Sequence, residues 1–525
     1  MAILATLSPL ASLGEQLVEH GIIGRVLLYG ALVTLAAFAF DVLSQTRYPA
    51  SIPAAGHGRG LIAWFRNAVG YVGQHRQWAQ DGYAQHAAQQ HAFLLPTPPA
   101  RPYEIVLPRS QTAWLLDQPD SVVSAADAHN RILHGRYNFL GSRLAADVFH
   151  TRVVHRHLAR HLPALIPEIA RAVREAVDDA FGYGMGQKQK LSSSRAPACR
   201  QAKDNVNDTA EDTTDDWTEI NLWDAFIYIV PRVTNRIIVG QPVCRDESFL
   251  SSMVAIADLT VRNSFLLSMV PRVLHPIVGW LVTIPNRRHW RTAHRAVAPI
   301  ITARLRDMLG ANKKADYIPP EDFITWTIRQ AVSENNSFEL NPETISKRLV
   351  PVEFAAIHTT VLTLHSLLLD ILSSPHCHEY IDGIADEARQ VLAGSGHDWT
   401  KSSLLSLHRA DSAIRESQRL STIAVTLVQR RVVALEGLHN PVEGWTAPQG
   451  SWFTLNLTGL HHDDDIYDNA NTYDAFRFSR MRDELERQAA KHSDDDDDAT
   501  IRAKRLGMVT TSDAHIPFGH GRHAW

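Results

Sequence analysis

The chain has 525 residues, 45% of them hydrophobic and 21% charged, the balance of a folded globular protein rather than of a disordered or fibrous one. Its 52 basic and 56 acidic residues give a formal net charge of -4, which excludes a global electrostatic case for nucleic-acid binding. Three cysteines, Cys199, Cys244 and Cys377, form no C-x-x-C pair and no spacing suited to a zinc site or a disulfide framework, so a reducing, cytosol-facing body is expected.

The first predicted element is a membrane anchor. Val26 to Phe40 is nearly continuous apolar sequence and extends backwards through Gly21, Ile22 and Ile23, interrupted by Arg25. A span needs about 20 mostly apolar residues, which Gly21 to Phe40 meets if Arg25 snorkels to the interface. Acidic Glu15 and Glu19 precede the run and Asp41 follows it, flanks that argue against a cleaved signal peptide. No Lys or Arg precedes Arg25, whereas Arg47, Arg59 and Arg66 follow the run, so the positive-inside bias places the body on the cytoplasmic side. A single anchor over residues 1–45 is expected, with no comparable apolar run after it. Tyr48-Pro49-Ala50-Ser51-Ile52-Pro53 then marks a stiff hinge over 46–60.

From about Leu61 to residue 525 the pattern is that of one mostly helical body. Apolar residues recur at three- and four-residue spacing over Ala125 to Leu140, Ala145 to Leu162, Pro167 to Phe181, Glu219 to Val239 and Phe323 to Val332. Strand-like stretches are short and few. Residues 182–216 are polar and too poor in apolar side chains to fold on their own, so a surface insertion is expected there. A second polar insertion is expected over 482–504, where five carboxylates in a row, Asp494 to Asp498, repel one another and stay solvated.

The last third carries the chemistry. Pro351 opens an apolar helix that runs through His358, Thr359 and Thr360 to Leu372. Small residues beside paired threonines let a ligand approach such a helix, whose carbonyls threonine hydroxyls can engage. Glu416 and Arg419 stand three apart on one helix face among apolar neighbours, and buried charges need partners. Arg477, between Phe476 and Phe478, is the candidate third member of that network. His461 and His462 before Asp463-Asp464-Asp465 read as a solvated turn rather than a metal cluster. Phe518-Gly519-His520-Gly521-Arg522-His523-Ala524-Trp525 is a glycine-rich turn that permits positive φ and close approach of backbone to a flat cofactor.

A Thr-Thr helix, E-x-x-R, an arginine between phenylalanines and F-G-x-G-x-H-A, in that order, resemble the signature set of the cytochromes P-450. Ile357-His358-Thr359-Thr360, Asp411-Ser412 before Glu416, and Phe518 to Ala524 are similar to the filamentous-fungal branch used in secondary metabolism. The likeness extends to Arg236–Asp246 and Asp322–Trp326. The resemblance implies a mainly α fold with a small β region, and haem held between the Thr-Thr helix and the glycine-rich loop. It implies Thr359, Thr360 and His358 as catalytic residues, with Thr359 steering proton delivery and His358, in place of the common acid, as a possible relay. Glu416, Arg419 and Arg477 form the implied structural network. Phe518, Gly519, Gly521 and His523 form the haem loop, His523 against a propionate.

The departure lies at Trp525, which stands where the family has its axial cysteine. An indole offers only an N–H donor and cannot ligate iron, whereas a thiolate pushes electron density towards O–O cleavage. The expected chain is therefore a truncated form that lacks the helix behind the haem. An exon ending in TG before an intron beginning GTAA would read as tryptophan and stop where a spliced message encodes cysteine. His520 and His523 are the substitute ligands to weigh, with His520 expected to point off the loop and His523 to face a propionate.

The implied activity is a monooxygenase of the endoplasmic reticulum membrane. It would insert oxygen into an apolar natural product with electrons from an NADPH–cytochrome P-450 reductase. Its rival is a haem-free, inactive membrane protein with the same fold. Phe265, Leu266, Leu267, Ile423 and Val425 are candidate pocket residues.

Overall fold

The computed structural model describes residues 22–101, 103–181, 220–310, 317–491 and 497–523. Helices of eight residues or more are α1 (Ile22–Leu43), α2 (Leu61–Gly82), α3 (Ala125–Ile132), α4 (Phe149–Phe181), α5 (Leu222–Ile238), α6 (Glu247–Ser268) and α7 (His275–Val282) in the first half. The second half adds α8 (Ile284–Leu309), α9 (Phe323–Ser333), α10 (Pro342–Ser373), α11 (Cys377–Gly394), α12 (His408–Leu420), α13 (Arg477–Lys491) and α14 (Asp497–Lys504). The insertion expected over 182–216 lies outside the described residues. Within 482–504, α13 and α14 are helical, and 492–496 are not described.

Side-chain caps fix where the core helices begin. Asn221 accepts from Asp224 N, Asp246 from Ser248 N and Phe249 N, and Asp322 from Thr325 N. Asn341 caps α10 with Pro342 at its first turn. Each satisfies donors that a helix start leaves unpaired. Two boundaries differ from the sequence expectation. The segment 125–140 breaks after Ile132, where His134 takes a left-handed φ of 47°. The two helices expected over 145–181 are one, α4, with Pro163 and Pro167 inside it. Both prolines are on the exposed side, where water can solvate the carbonyls they leave unpaired.

The helical core joins α4, α5, α6, α8, α9 and α10 through side chains such as Phe149, Phe249, Ile301, Trp326, Leu349 and Ile357. Beside it a five-stranded sheet runs in the order β1-β2-β7-β4-β3, formed by β1 (Phe93–Pro96), β2 (Tyr103–Leu107), β3 (Val123–Ser124), β4 (Thr426–Val432) and β7 (Trp452–Asn456). β5 (Leu438–His439) and β6 (Thr446–Ala447) make a separate ribbon. β2 pairs parallel to β7 with Ile105 opposite Phe453, and β4 pairs antiparallel to β7. The β4–β7 register slips between Leu427 and Arg430, and Val428 there has φ 64°. A β-branched residue at positive φ is a strained outlier, the kind of irregularity that re-aims side chains beside a site.

Three described helices are long and apolar enough to cross a membrane: Gly24–Leu43, Glu247–Ser268 and Pro342–Ser373. The sequence expectation of no second run of that kind is corrected here. α6 and α10 pack on each other and on α8, with Phe249, Met253 and Ile256 of α6 and Leu349 and Ile357 of α10 in the core. α1 instead exposes Leu28, Val33 and Leu35. Its last turn is fastened to the body. Asp41, 4% exposed, accepts from the backbone N and Nε of Arg272, and Arg272 Nη2 donates to Ser44.

Candidate active site

Between α3, the start of α4, α10, β4 and the loop 516–523 lies a cavity of about 400 Å³, within the size range of small-molecule sites. Its walls are mostly apolar, including Leu133, Phe139, Val148, Phe354, Leu427 and Phe518. α10 crosses it with Pro351, Phe354, Ala355 and Thr359, and the loop supplies Phe518, Gly519 and His520.

Thr359 Oγ1 donates to Ala355 O at 2.5 Å, so its proton is committed to the helix and its lone pairs remain to accept from a donor in the cavity. Thr360, the next residue, is exposed and does not line the cavity. Nor does His358. Its Nε2 lies 2.7 Å from Asp258 Oδ1 on α6, which draws the ring away from the cavity. The helix thus brings one of the three residues to the site, since neighbours on a helix point about 100° apart.

The loop places Phe518 and Gly519 on the cavity wall. Gly519 has φ 94° and Gly521 φ 76°, and a Cβ at Gly521 would stand 3.3 Å from Leu116 Cδ1. The left-handed Gly519 turns the chain so that Phe518 and His520 both face the cavity, which corrects the expectation that His520 points off the loop. His520 Nδ1 lies 2.8 Å from Thr511 Oγ1, and burial pulls the imidazole below its ordinary value. The side chain of His523, and Trp525 altogether, lie outside the described residues.

Polar groups that the sequence reading missed lie on the same walls. Arg430 is 5% exposed, lines the cavity and donates to Gln429 O, yet has no carboxylate within ion-pair distance among the described residues. Burial pushes its guanidinium down to about 10, so it stays cationic at neutral pH. His129 and Asn130 of α3 line the opposite part. His150 is held neutral, down to about 3, first by burial and then by Arg348. In sequence Arg430 is one of a Gln-Arg-Arg run in a strand. Its local signal is the alternation in β4, where Arg430 is buried in step with Val428 and Val432.

Glu416, Arg419 and Arg477 come together away from the cavity. Arg419 Nε and Nη2 donate to the two oxygens of Glu416 at 2.8 and 2.7 Å, and Arg477 Nε donates to Oε1 at 3.0 Å. The Glu416 and Arg419 side chains are 0% exposed and that of Arg477 is 12% exposed. Two guanidinium groups outnumber one carboxylate, and backbone carbonyls meet the excess: His461 O and Ala470 O for Arg419, Asp468 O and Thr472 O for Arg477. Nearby, His461 stacks on His515 in the interior, Asp463 accepts from Tyr83 Oη and Asp464 from Ala470 N. Of the five candidate pocket residues, Ile423 reaches the cavity and the other four do not.

The cytochrome P450 family model matches residues 111–524, the stretch that contains α10, the Glu416 network and the loop. The chain belongs to the cytochrome P450 family. It is 29% identical to cytochrome P450 monooxygenase gloP of Glarea lozoyensis over 98% of this chain and 88% of that one. It is 28% identical to cytochrome P450 monooxygenase astC of Aspergillus terreus, over 98% and 89%, and 27% identical to cytochrome P450 monooxygenase pbrC of Penicillium brasilianum, over 94% and 85%. By family this P450 is a haem-dependent monooxygenase, mostly helical with a small β region. Its N-terminal helix, Gly24–Leu43, is long and apolar enough to cross a membrane, which fits an anchor.

The cavity suits the family's cofactor on two counts. Its apolar walls fit a flat macrocycle, and Arg430 is a buried cation that makes no ion pair among the described residues, so a haem carboxylate would complete it. Among the described residues no thiol lines it. Cys244 is 2% exposed in the helical core and Cys377 starts α11.

Proposed function

We propose that this P450 oxidises an apolar small molecule of fungal secondary metabolism in the cavity between α10 and the glycine-rich loop. NADPH–cytochrome P450 reductase supplies the electrons, and the body faces the cytosol from the endoplasmic reticulum membrane. The observation that carries the reading is the meeting of Thr359, Phe518, Gly519 and Arg430 on the walls of one apolar cavity. Haem bound there supplies the iron at which dioxygen is activated.

The remaining steps belong to the chain. Phe518 and Gly519 would form one face of the seat and Arg430 and His129 would hold the carboxylates, with His523 given a propionate by the family resemblance alone. Phe139, Phe354 and Leu427 exclude water and take the apolar substrate. Thr359 donates its own hydroxyl proton to Ala355 O, so Oγ1 would accept a hydrogen bond from a donor in the cavity and orient that donor, whose proton stays on it. Glu416, Arg419 and Arg477 position the segment 461–477 behind the site and touch no reacting atom. Arg47, Arg59 and Arg66 after α1 support the cytosolic orientation. Exposed Leu61, Ile62, Phe65 and Val69 on α2, with Ile277 and Trp280 on α7, support a body that rests on the bilayer.

Trp525 favours a second reading, a haem-free protein that keeps the fold and holds an apolar ligand. Haem titration decides between them. The first requires stoichiometric haem whose uptake falls on substitution of Arg430, and the second requires none with the unsubstituted chain.

A further inference from the structure

We propose that the exposed arginines at the start of α8 bind the phosphates of anionic phospholipids, so that the body meets the bilayer with a charge-selective edge beside an apolar one. The inference rests on the reading above that the body lies on the bilayer, and on no property of the haem. Between Leu259 and Arg306 the chain carries eight arginines and no aspartate or glutamate, in a protein whose net charge is -4. Three of the eight are paired within the fold: Arg272 with Asp41, Arg304 with Asp322 and Arg306 with Asp307. Arg262, Arg287, Arg288, Arg291 and Arg295 make no ion pair among the described residues.

Four of these unpaired arginines lie in the opening turns of α8. Arg288, Arg291 and Arg295 are exposed and stand three and four positions apart, which stacks them on one helix face. Like charges at that spacing repel, and cations at the start of a helix oppose its macrodipole. The first turn of α8 holds no acidic residue to offset either cost, so an anion from outside the chain would relieve both. Arg287 joins the stripe to α7: its Nη1 donates to Trp280 O at 3.1 Å, and its guanidinium lies 5.3 Å from the centre of the Trp280 ring.

The anchor sets where this surface sits. Asp41, in the last turn of α1, is bonded to Arg272, three residues before α7 begins, and α8 begins two residues after α7 ends. On α7 the apolar side chains of Ile277, Trp280 and Leu281 are exposed. Unpaired cations beside exposed apolar side chains, at the end of a helix able to cross a membrane, match the chemistry of a bilayer with negatively charged headgroups. The planar guanidinium fork can engage two oxygens of one phosphate. An acidic protein would answer the charge of the stripe and leave the apolar side chains of α7 without a partner.

The test titrates the full-length chain in nonionic detergent with phosphatidylserine and, separately, phosphatidylcholine, and counts bound lipid by native mass spectrometry. The unsubstituted chain is expected to prefer phosphatidylserine. Each arginine near an anionic surface contributes about fivefold in affinity. Arg288→Gln, Arg291→Gln and Arg295→Gln together should therefore weaken phosphatidylserine binding about a hundredfold. Unchanged phosphatidylcholine binding shows that this variant is folded. Lysine at the same three positions should keep the preference, because the charge remains. Equal binding of the two lipids, or a preference that survives the three glutamines, overturns the proposal. So does capture of poly-glutamate without a lipid preference, which assigns the stripe to an acidic protein. Quenching of Trp280 by brominated lipid in phosphatidylcholine nanodiscs, taken as the difference from Trp280→Phe, tests the membrane reading by itself. If Trp280 is quenched and the two lipids bind equally, the body lies on the bilayer and the arginine assignment alone fails. If there is neither quenching nor preference, both fall.

Discussion

Replacing Glu416 with alanine removes the acceptor of four N–H groups: Nε and Nη2 of Arg419, Nε of Arg477 and the backbone N of Asp474. It leaves Arg419 with 0% side-chain exposure and no counter-charge. Removing one partner of a buried pair costs about 3–5 kcal/mol, because the survivor stays desolvated and uncompensated. Arg419 keeps two carbonyl acceptors, His461 O and Ala470 O, which puts the loss at the lower end, about 3 kcal/mol. At about 1.4 kcal/mol per factor of ten, that lowers the folding constant by more than a hundredfold, against a typical total of about 5–15 kcal/mol. Glu416→Gln retains an oxygen for Arg419 or Arg477 but not the charge. Charge-assisted bonds are about twice as strong as neutral ones, so roughly half the loss is expected. Guanidinium unfolding followed by tryptophan fluorescence on the detergent-solubilised chain measures both. A midpoint for Glu416→Ala within error of the unsubstituted chain refutes the reasoning, as does a glutamine variant no better than alanine.

Burial pushes the Glu353 carboxyl up to about 8, with Asn235 Nδ2 as its hydrogen-bond donor. The folded state holds that proton where the unfolded chain, near 4.5, has released it, so stability falls as pH rises from about 4.5 to 8. Glu353→Gln should flatten this fall in a series of thermal melts and raise Tm at pH 8. On the acid side His461 is held down to about 3 by burial and by Arg419. The stability gained by keeping it neutral is full above about 6.5 and is lost as pH falls towards 3, visible as a drop in Tm below pH 6. Arg430→Ala should weaken haem uptake about 10- to 150-fold, the equivalent of a charged hydrogen bond of about 1.5–3 kcal/mol, measured by haemin titration. Removing residues 1–45 should release the body from carbonate-washed membranes, because α6 and α10 are committed to the core; full retention in the pellet contradicts a single anchor.

The parts of this protein that were legible in sequence are those with a local cause. The anchor is read from one apolar run. Glu416 and Arg419 could be placed on one face from their spacing alone. What stayed hidden depends on irregular backbone and tertiary neighbours. Arg430 takes an inward place in β4 between Val428 and Val432, yet a charged residue there reads as solvent-facing until its tertiary neighbours are known. The left-handed Gly519 that sets His520 on the cavity wall is visible only as a glycine, and the turn direction is a property of the folded loop. His358 was read as facing a ligand because it adjoins Thr359, yet a carboxylate 100 positions earlier, Asp258, claims its ring. The segments read separately over Ala145 to Leu162 and Pro167 to Phe181 are one helix, which keeps Pro163 and Pro167 towards water.

The ion pair of Asp41 with Arg272 changes how the anchor works as a mechanical part. A helix joined to its body only through the chain after it would act as a swivel, leaving the body to tumble about the membrane normal. Here the last turn of α1 is clamped to the segment that leads into α7, so tilt and spin of the helix are transmitted to the body as torque. In a bilayer such coupling would fix the body's tilt and the face it turns to the membrane. The apolar substrate proposed above, once dissolved among the lipid tails, would meet the same face at every encounter, its supply set by partition and two-dimensional diffusion.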